Sequence, residues 1–171
     1  MSLLTVGDEN ETLPTDFLDF ITCLNERQVD FVLIGGYAVG VHGFVRATGD
    51  IDFFYRRTAA NVKRLRAALK AFGAPHMVIV AAHLMKPQMV TQFGNPPLRI
   101  DLLNTIDGVS FARVWNGASK MEIQGQTMWV IGLAELRANK AATHRKKDAD
   151  DLRKLDARKP RAKRPGRKRA D

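Results

Sequence analysis

The chain has one cysteine, Cys23, among 171 residues. An internal disulfide is therefore impossible, and a thiolate metal site is excluded. No apolar run approaches the roughly 20 residues that a bilayer-spanning helix needs. The first residues, 1–13, are polar and carry Asp8, Glu9 and Glu11, the reverse of a basic, then apolar, signal peptide. No Gly-Lys-Ser/Thr follows a glycine-rich loop, which removes the P-loop from consideration. These absences predict a cytoplasmic chain with no membrane association, whose chemistry rests on oxygen and nitrogen side chains.

Acids are also in short supply: 18 against 27 Lys and Arg, for a net charge of +9. The excess is local. Residues 158–171 hold eight Lys or Arg, one acid, three Gly or Pro and no large apolar side chain, which places +7 of the +9 there. Such a segment cannot build a core and is expected to be disordered. Its charge suits nucleic-acid phosphates, with salt-sensitive binding and no sequence readout. A merely solubilising tail is the plainer account. The division expected is a flexible N-terminus at 1–14, one domain at 15–156, and a disordered basic tail at 157–171.

Within that domain the apolar pattern alternates between helix and strand periods. Phe17, Phe20, Ile21 and Leu24 predict a helix over 15–28, capped by Thr15 or Asp16. A strand follows at 31–34, then a short small-residue helix, then a strand at 51–55. Val62, Leu65, Leu69 and Phe72 predict an amphipathic helix over 59–72, ended by Gly73-Ala-Pro75. Residues 76–89 are ambiguous, with a strand at 77–80 one option. Strands at 89–93 and 98–103 flank a Gly-Asn-Pro-Pro turn. A short helix at 111–115, a hairpin at 120–123 and 127–130, and helices at 133–142 and 147–155 complete the reading. The last carries Asp148, Asp150 and Asp151 in its first turn, where acids suit the helix dipole. Trp115 and Trp129 sit among apolar residues and read as packing.

The chemistry concentrates between residues 31 and 55. The apolar run 31–34 stops on Gly35-Gly36, which lets backbone amides approach an anion closely. The next strand contains Asp50 and Asp52. Successive strand side chains point to opposite faces, so the two acids share a face while Ile51 and Phe53 take the other. Paired carboxylates repel and resist ionisation when buried, and a hard divalent cation relieves both problems. A lone Asp-x-Asp is usually inert. A third acid, Asp101, lies between Ile100 and Leu102, where a strand disfavours it unless it has a task. A salt bridge to a neighbour such as Arg99 is the competing account of Asp101.

Gly35-Gly36, a spacer, Arg46-Ala-Thr48, Asp50-Ile-Asp52 and a later strand acid resemble the DNA polymerase beta superfamily of nucleotidyltransferases. Within it the chain is most similar to the small bacterial proteins grouped with the AbiEii toxins and the minimal nucleotidyltransferases. The likeness covers roughly residues 15–155 and includes Leu133-Ala-Glu-Leu-Arg-Ala-Asn-Lys140 and Arg145-Lys-Lys-Asp-Ala-Asp-Asp-Leu152 as closing helices. It implies an α/β (α+β) nucleotidyltransferase fold, a mixed central sheet flanked by helices. It also implies transfer of a nucleoside monophosphate from an NTP such as ATP to an acceptor hydroxyl. Asp50, Asp52 and Asp101 would be catalytic and hold two Mg2+ ions. Gly35 and Gly36 would meet the β and γ phosphates, Arg46 or Lys140 would neutralise phosphate charge, and Thr48 would orient the Asp50 strand. The acceptor could be a tRNA end, another macromolecule or a small molecule such as an aminoglycoside, and the basic tail favours RNA. A toxin–antitoxin or phage-defence setting, with an antitoxin or other protein partner, is the further implication. The alternatives are an inactive nucleotidyltransferase fold that binds nucleic acid or a partner, and a metal-dependent glycosyltransferase. Against the latter, Gly-Gly and a third strand acid are not part of such a site.

Overall fold

Helical periodicity builds α1 (Thr15–Glu26), whose Phe17, Phe20, Ile21 and Leu24 are all buried. Its first turn has no side-chain cap: the amides of Phe17 and Leu18 donate to the Pro14 carbonyl instead of to Thr15 or Asp16. Next come β1 (Phe31–Ile34), α2 (Gly35–Val41) and β2 (Asp50–Tyr55). Helix α3 (Ala59–Phe72) is capped by the Thr58 hydroxyl, which accepts from the Asn61 amide, and ends on left-handed Gly73. The structure, a computed structural model, describes residues 12–157. For residues 1–11 and 158–171, the expected flexible N-terminus and disordered basic tail lie outside the described residues.

The ambiguous stretch is not a strand. It forms a 3-10 turn (His76–Ile79) and α4 (Ala81–Met85). Only Val78 of the 3-10 turn is buried and Met77 is 75% exposed, so the segment has no alternating apolar face to place in a sheet. Strands β3 (Val90–Phe93) and β4 (Arg99–Leu103) follow, then α5 (Phe111–Gly117), β5 (Ser119–Ile123), β6 (Gln126–Val130), α6 (Leu133–Ala142) and α7 (Lys146–Asp156). Among the described residues no helix is long and apolar enough to cross a membrane.

The six strands form one mixed sheet in the order β3-β4-β2-β1-β6-β5. Pairs β1–β2, β3–β4 and β5–β6 run antiparallel, whereas β1–β6 and β2–β4 run parallel. One face is covered by α1 and α3, which pack on each other. There Phe20 meets Phe53, Phe72 and Phe93 at centroid separations of 6.0, 5.1 and 5.3 Å. On the opposite face Phe54 packs edge-on against Phe111 of α5, followed by Trp115 and Trp129. Asn104, just past β4, is buried and donates to the carbonyls of Leu84 and Lys86 and to the Tyr55 hydroxyl. It fixes the end of β4 to the α4 region.

Truncating Phe20 removes the shared member of four aromatic side chains. Phe20→Ala is expected to lower unfolding free energy by about 3–5 kcal/mol. Urea denaturation followed by circular dichroism measures it, and a loss below about 1 kcal/mol would be incompatible with this core.

Candidate active site

The strand pattern puts the acids together. Ile51, Phe53 and Tyr55 are buried on one face, Phe53 against Phe20 of α1, so Asp50 and Asp52 are turned to the opposite face. In the parallel β2–β4 pair, Asp52 lies directly across from Asp101 and Asp50 across from Arg99. In the antiparallel β1–β2 pair, Asp52 lies across from Ile34, the residue before the glycine turn. The three acids therefore share one face of adjacent strands. They line a cleft of about 440 Å3 with Gly35, Gly36, Arg46, Thr48, Arg99 and Lys140. All eight residues expected to form the site line this one cleft.

Gly35 has φ +70°, a left-handed conformation, and a Cβ there would overlap the Asp52 carboxylate. Two independent demands thus require glycine at this position. At Gly36 an added Cβ would lie 3.1 Å from Arg46 Nη2 and 3.3 Å from Thr48 Oγ1. Thr48 Oγ1 lies 3.2 Å from the Asp50 carbonyl, to which it donates, and 3.4 Å from the Asp50 amide. Its observed contacts are those of a residue that orients the start of β2.

Arg46 and Lys140 are committed elsewhere. Arg46 forms a two-pronged ion pair with Asp151, Nε–Oδ1 2.9 Å and Nη2–Oδ2 3.0 Å. Lys140 contacts Asp148 closely and lies 3.1 Å from Asp151. Asp148 also accepts from the Thr143 hydroxyl at 2.7 Å and pairs with Arg145 at 2.9 Å. Burial alone would raise the Asp148 pKa. The hydrogen bonds from Lys140 and Thr143, with the Lys140 and Arg145 charges, outweigh it and hold the carboxyl below its ordinary value. Asp148 lies in the first turn of α7, as the sequence suggested, whereas Asp150 and Asp151 fall beyond it, and matching the helix dipole is not the main task of Asp148 or Asp151. Both are buried and form a charge network that joins α7 to α6 and to the loop before β2. Their spacing of three, which puts both on one helix face, was the available signal.

Sequence reasoning placed Arg99 as a competitor for Asp101, and the structure contains that pair. Arg99 Nε lies 2.8 Å from Asp101 Oδ1, and Nη2 lies 3.1 Å from Asp101 Oδ2 and 3.0 Å from Asp50 Oδ2. Gln92, which the sequence reading missed, donates to Asp101 Oδ2 at 3.2 Å. The Asp52 carboxylate, in contrast, receives no hydrogen bond or ion pair among the described residues. Burial first, then the charges of Asp101 and Asp50, push its pKa up to about 7.

A divalent cation is a natural test of this donor set. As the side chains stand, no group of three His, Cys, Asp or Glu among the described residues is arranged to hold a metal ion. Asp50 and Asp101 are drawn onto Arg99. The chemistry of the set nevertheless fits a hard cation: three carboxylates on one face, one of them unpartnered, the other two gathered around a positive group.

Two outcomes follow from these charges. Between the ordinary value of 3.8 and about 7, the folded protein holds a proton on Asp52 that the unfolded chain has released. Stability of the metal-free protein therefore falls as pH rises through that window. Asp52→Asn should raise the melting temperature at about pH 8 and leave it nearly unchanged near pH 4, as scanning calorimetry would detect. Asp151→Asn leaves Arg46 and Lys140 short of a buried partner and should cost about 3–5 kcal/mol in chemical denaturation. A neutral result would mean the network carries no stability.

The profile of the family described as "Nucleotidyl transferase of unknown function (DUF2204)" matches residues 14–165. A comparison with curated proteins gives no match. Among solved structures, the chain is similar to the antibiotic-resistance factor ANT(2'')-Ia, with 14% identity, a TM-score of 0.54, and 82% of this chain and 80% of that one covered. It is also similar to the lincosamide antibiotic adenylyltransferase LnuA, with 13% identity and a TM-score of 0.51 over 86% of this chain and 99% of that one. A Thermotoga maritima protein assigned to the nucleotidyltransferases gives 13% identity and a TM-score of 0.53 over 88% and 100%. At such identities the likeness is one of fold, and it agrees with the mixed sheet flanked by helices described above. With the family profile extending over most of its length, the chain belongs to the nucleotidyl transferase family of unknown function.

Proposed function

We propose that the protein is a Mg2+-dependent nucleotidyltransferase that moves a nucleoside monophosphate from an NTP, such as ATP, to an acceptor hydroxyl. The observation that carries this reading is the unpartnered Asp52, across β2–β4 from Asp101 and against a left-handed glycine turn. Asp50, Asp52 and Asp101 would hold two Mg2+ ions. Bound there, the cations would neutralise the triphosphate and favour the ionised acceptor oxygen. Asp101 would help take the proton from the acceptor hydroxyl, whose oxygen forms the new bond to the α phosphorus. The bond to pyrophosphate breaks, and its electrons leave with the pyrophosphate.

Gly35 and Gly36 would offer backbone amides to the β and γ phosphates. Arg46 and Lys140 would act mainly through the positive potential they give that wall, since their side chains are already paired with Asp151 and Asp148. Thr48 would keep Asp50 in register. We favour RNA, such as a tRNA end, as the acceptor, on the strength of the basic segment 158–171. The Arg46-x-Thr48-x-Asp50-x-Asp52 spacing and the closing helices support an AbiEii-like or minimal branch. An antitoxin or other protein partner belongs to that reading, as does a cytoplasmic setting.

One observation favours a second reading. Arg99 neutralises two of the three acids, as an inert fold kept for binding would allow. Mg2+-dependent stabilisation by ATP or GTP in a thermal-shift assay separates the two, because an inert fold gives none. The direct test is incubation with each labelled NTP, Mg2+ and total tRNA. Label should pass to RNA with the wild type and fall to background with Asp52→Ala; unchanged labelling in the variant would remove the proposed chemistry.

A further inference from the structure

The reaction proposed above gives no task to the arginine that holds two of its acids. We propose that Arg99 is a displaceable internal counter-ion: it occupies Asp50 and Asp101 in the metal-free protein and gives them up when a divalent cation enters. The inference rests on the nucleotidyl-transfer reading only for the identity of the ligand that displaces it.

Register makes the contact. Arg99 is the cross-strand neighbour of Asp50 and lies two residues before Asp101, so all three point to the same face. A planar guanidinium spans both carboxylates with three contacts of 2.8–3.1 Å. A lysine placed here would act as a single point charge and could not bridge them in this way. The hydrogen bonds that Arg99 donates to Asp101 raise its pKa further and hold it in its charged form.

The same geometry makes it releasable. The Arg99 side chain is 45% exposed, against 8% for Asp101. Half-exposed ion pairs are weak. Its side chain makes no hydrogen bond among the described residues beyond those to Asp50 and Asp101. It also lines a second groove of about 380 Å3, together with Asp50, Gln92 and residues of the 94–98 turn, which lies beside it as space for a displaced side chain. The guanidinium reaches two acids and leaves Asp52 unpartnered. A divalent cation brings twice the charge in a smaller volume and is attracted by all three. Because both need the Asp50 and Asp101 oxygens, their occupancies exclude one another, and each must weaken the other by the same factor.

The consequence is a site that resists bare cations. Until a triphosphate adds its own oxygens, cation entry must overcome the arginine. Apparent affinity is then reduced by the fraction of molecules in which Arg99 has let go.

The test measures Mn2+ binding to the full chain without nucleotide, by electron paramagnetic resonance of free Mn2+. It compares wild type, Arg99→Gln and Arg99→Lys, with circular dichroism to confirm folding. Arg99→Gln is expected to bind Mn2+ roughly tenfold more tightly than wild type, with Arg99→Lys between them. If Arg99→Gln fails to fold, the lysine variant alone decides, and equal affinity with wild type overturns the proposal. Equal or weaker binding by a folded Arg99→Gln overturns the counter-ion role but leaves the nucleotidyl-transfer reading intact. An absence of Mn2+ binding in every variant, with ATP as well as without, overturns both.

Discussion

The structure depends on one register, the parallel pairing of β2 with β4. It is fixed by what lies beneath it: Ile51, Phe53, Ile100 and Leu102 are buried, with Phe53 against Phe20 of α1. A slip of one residue would bury the acids and expose that apolar set, which burial of the apolar face forbids. The hydrophobic effect thus performs electrostatic work. It compresses three like charges onto neighbouring strands, and the aromatic cluster around Phe20 anchors the layer that does so.

Crowding of like charge explains much of the remaining detail. Arg99 gathers two of the acids, and Asp52 responds by favouring its protonated form. On the facing wall the roles reverse. Arg46 and Lys140 are held by Asp148 and Asp151 within a buried set of charges. Buried ion pairs rarely add net stability over well-packed apolar groups, but they do specify one arrangement. Here the arrangement specified is that of α7 against the loop that leads into β2.

Much of this was legible in the sequence, for physical reasons. Period-two alternation gives Asp50 and Asp52 a shared face, and an acid flanked by Ile100 and Leu102 marks a third position of the same kind. The amphipathic helix 59–72 was legible because Val62, Leu65, Leu69 and Phe72 keep one period and Gly73 ends it, whereas the Thr58 cap at its start was not read. The 76–85 region was not: β-branched Val78, Ile79 and Val80 favour a strand locally, but the segment forms a 3-10 turn and α4 that bury Val78 and Leu84 and leave Met77 and Val80 exposed. Nor was the pairing of Arg46 with Asp151, 105 residues apart, since charge complementarity at that range leaves no periodic trace. Arg99 was visible as a rival for Asp101. That it also bridges to Asp50 follows only from knowing which strands are neighbours.

The Arg46–Asp151 pair has a bearing on biosynthesis. All three strand acids and the glycine turn are translated by residue 101, whereas the anions that anchor Arg46 and Lys140 follow only at 148 and 151. While the chain is still on the ribosome, the sheet can assemble its acidic rim, but the opposite wall has two cations and nothing to seat them. Seating of those two cations therefore waits for α7, and a chain stalled after residue 140 would lack both of their anions.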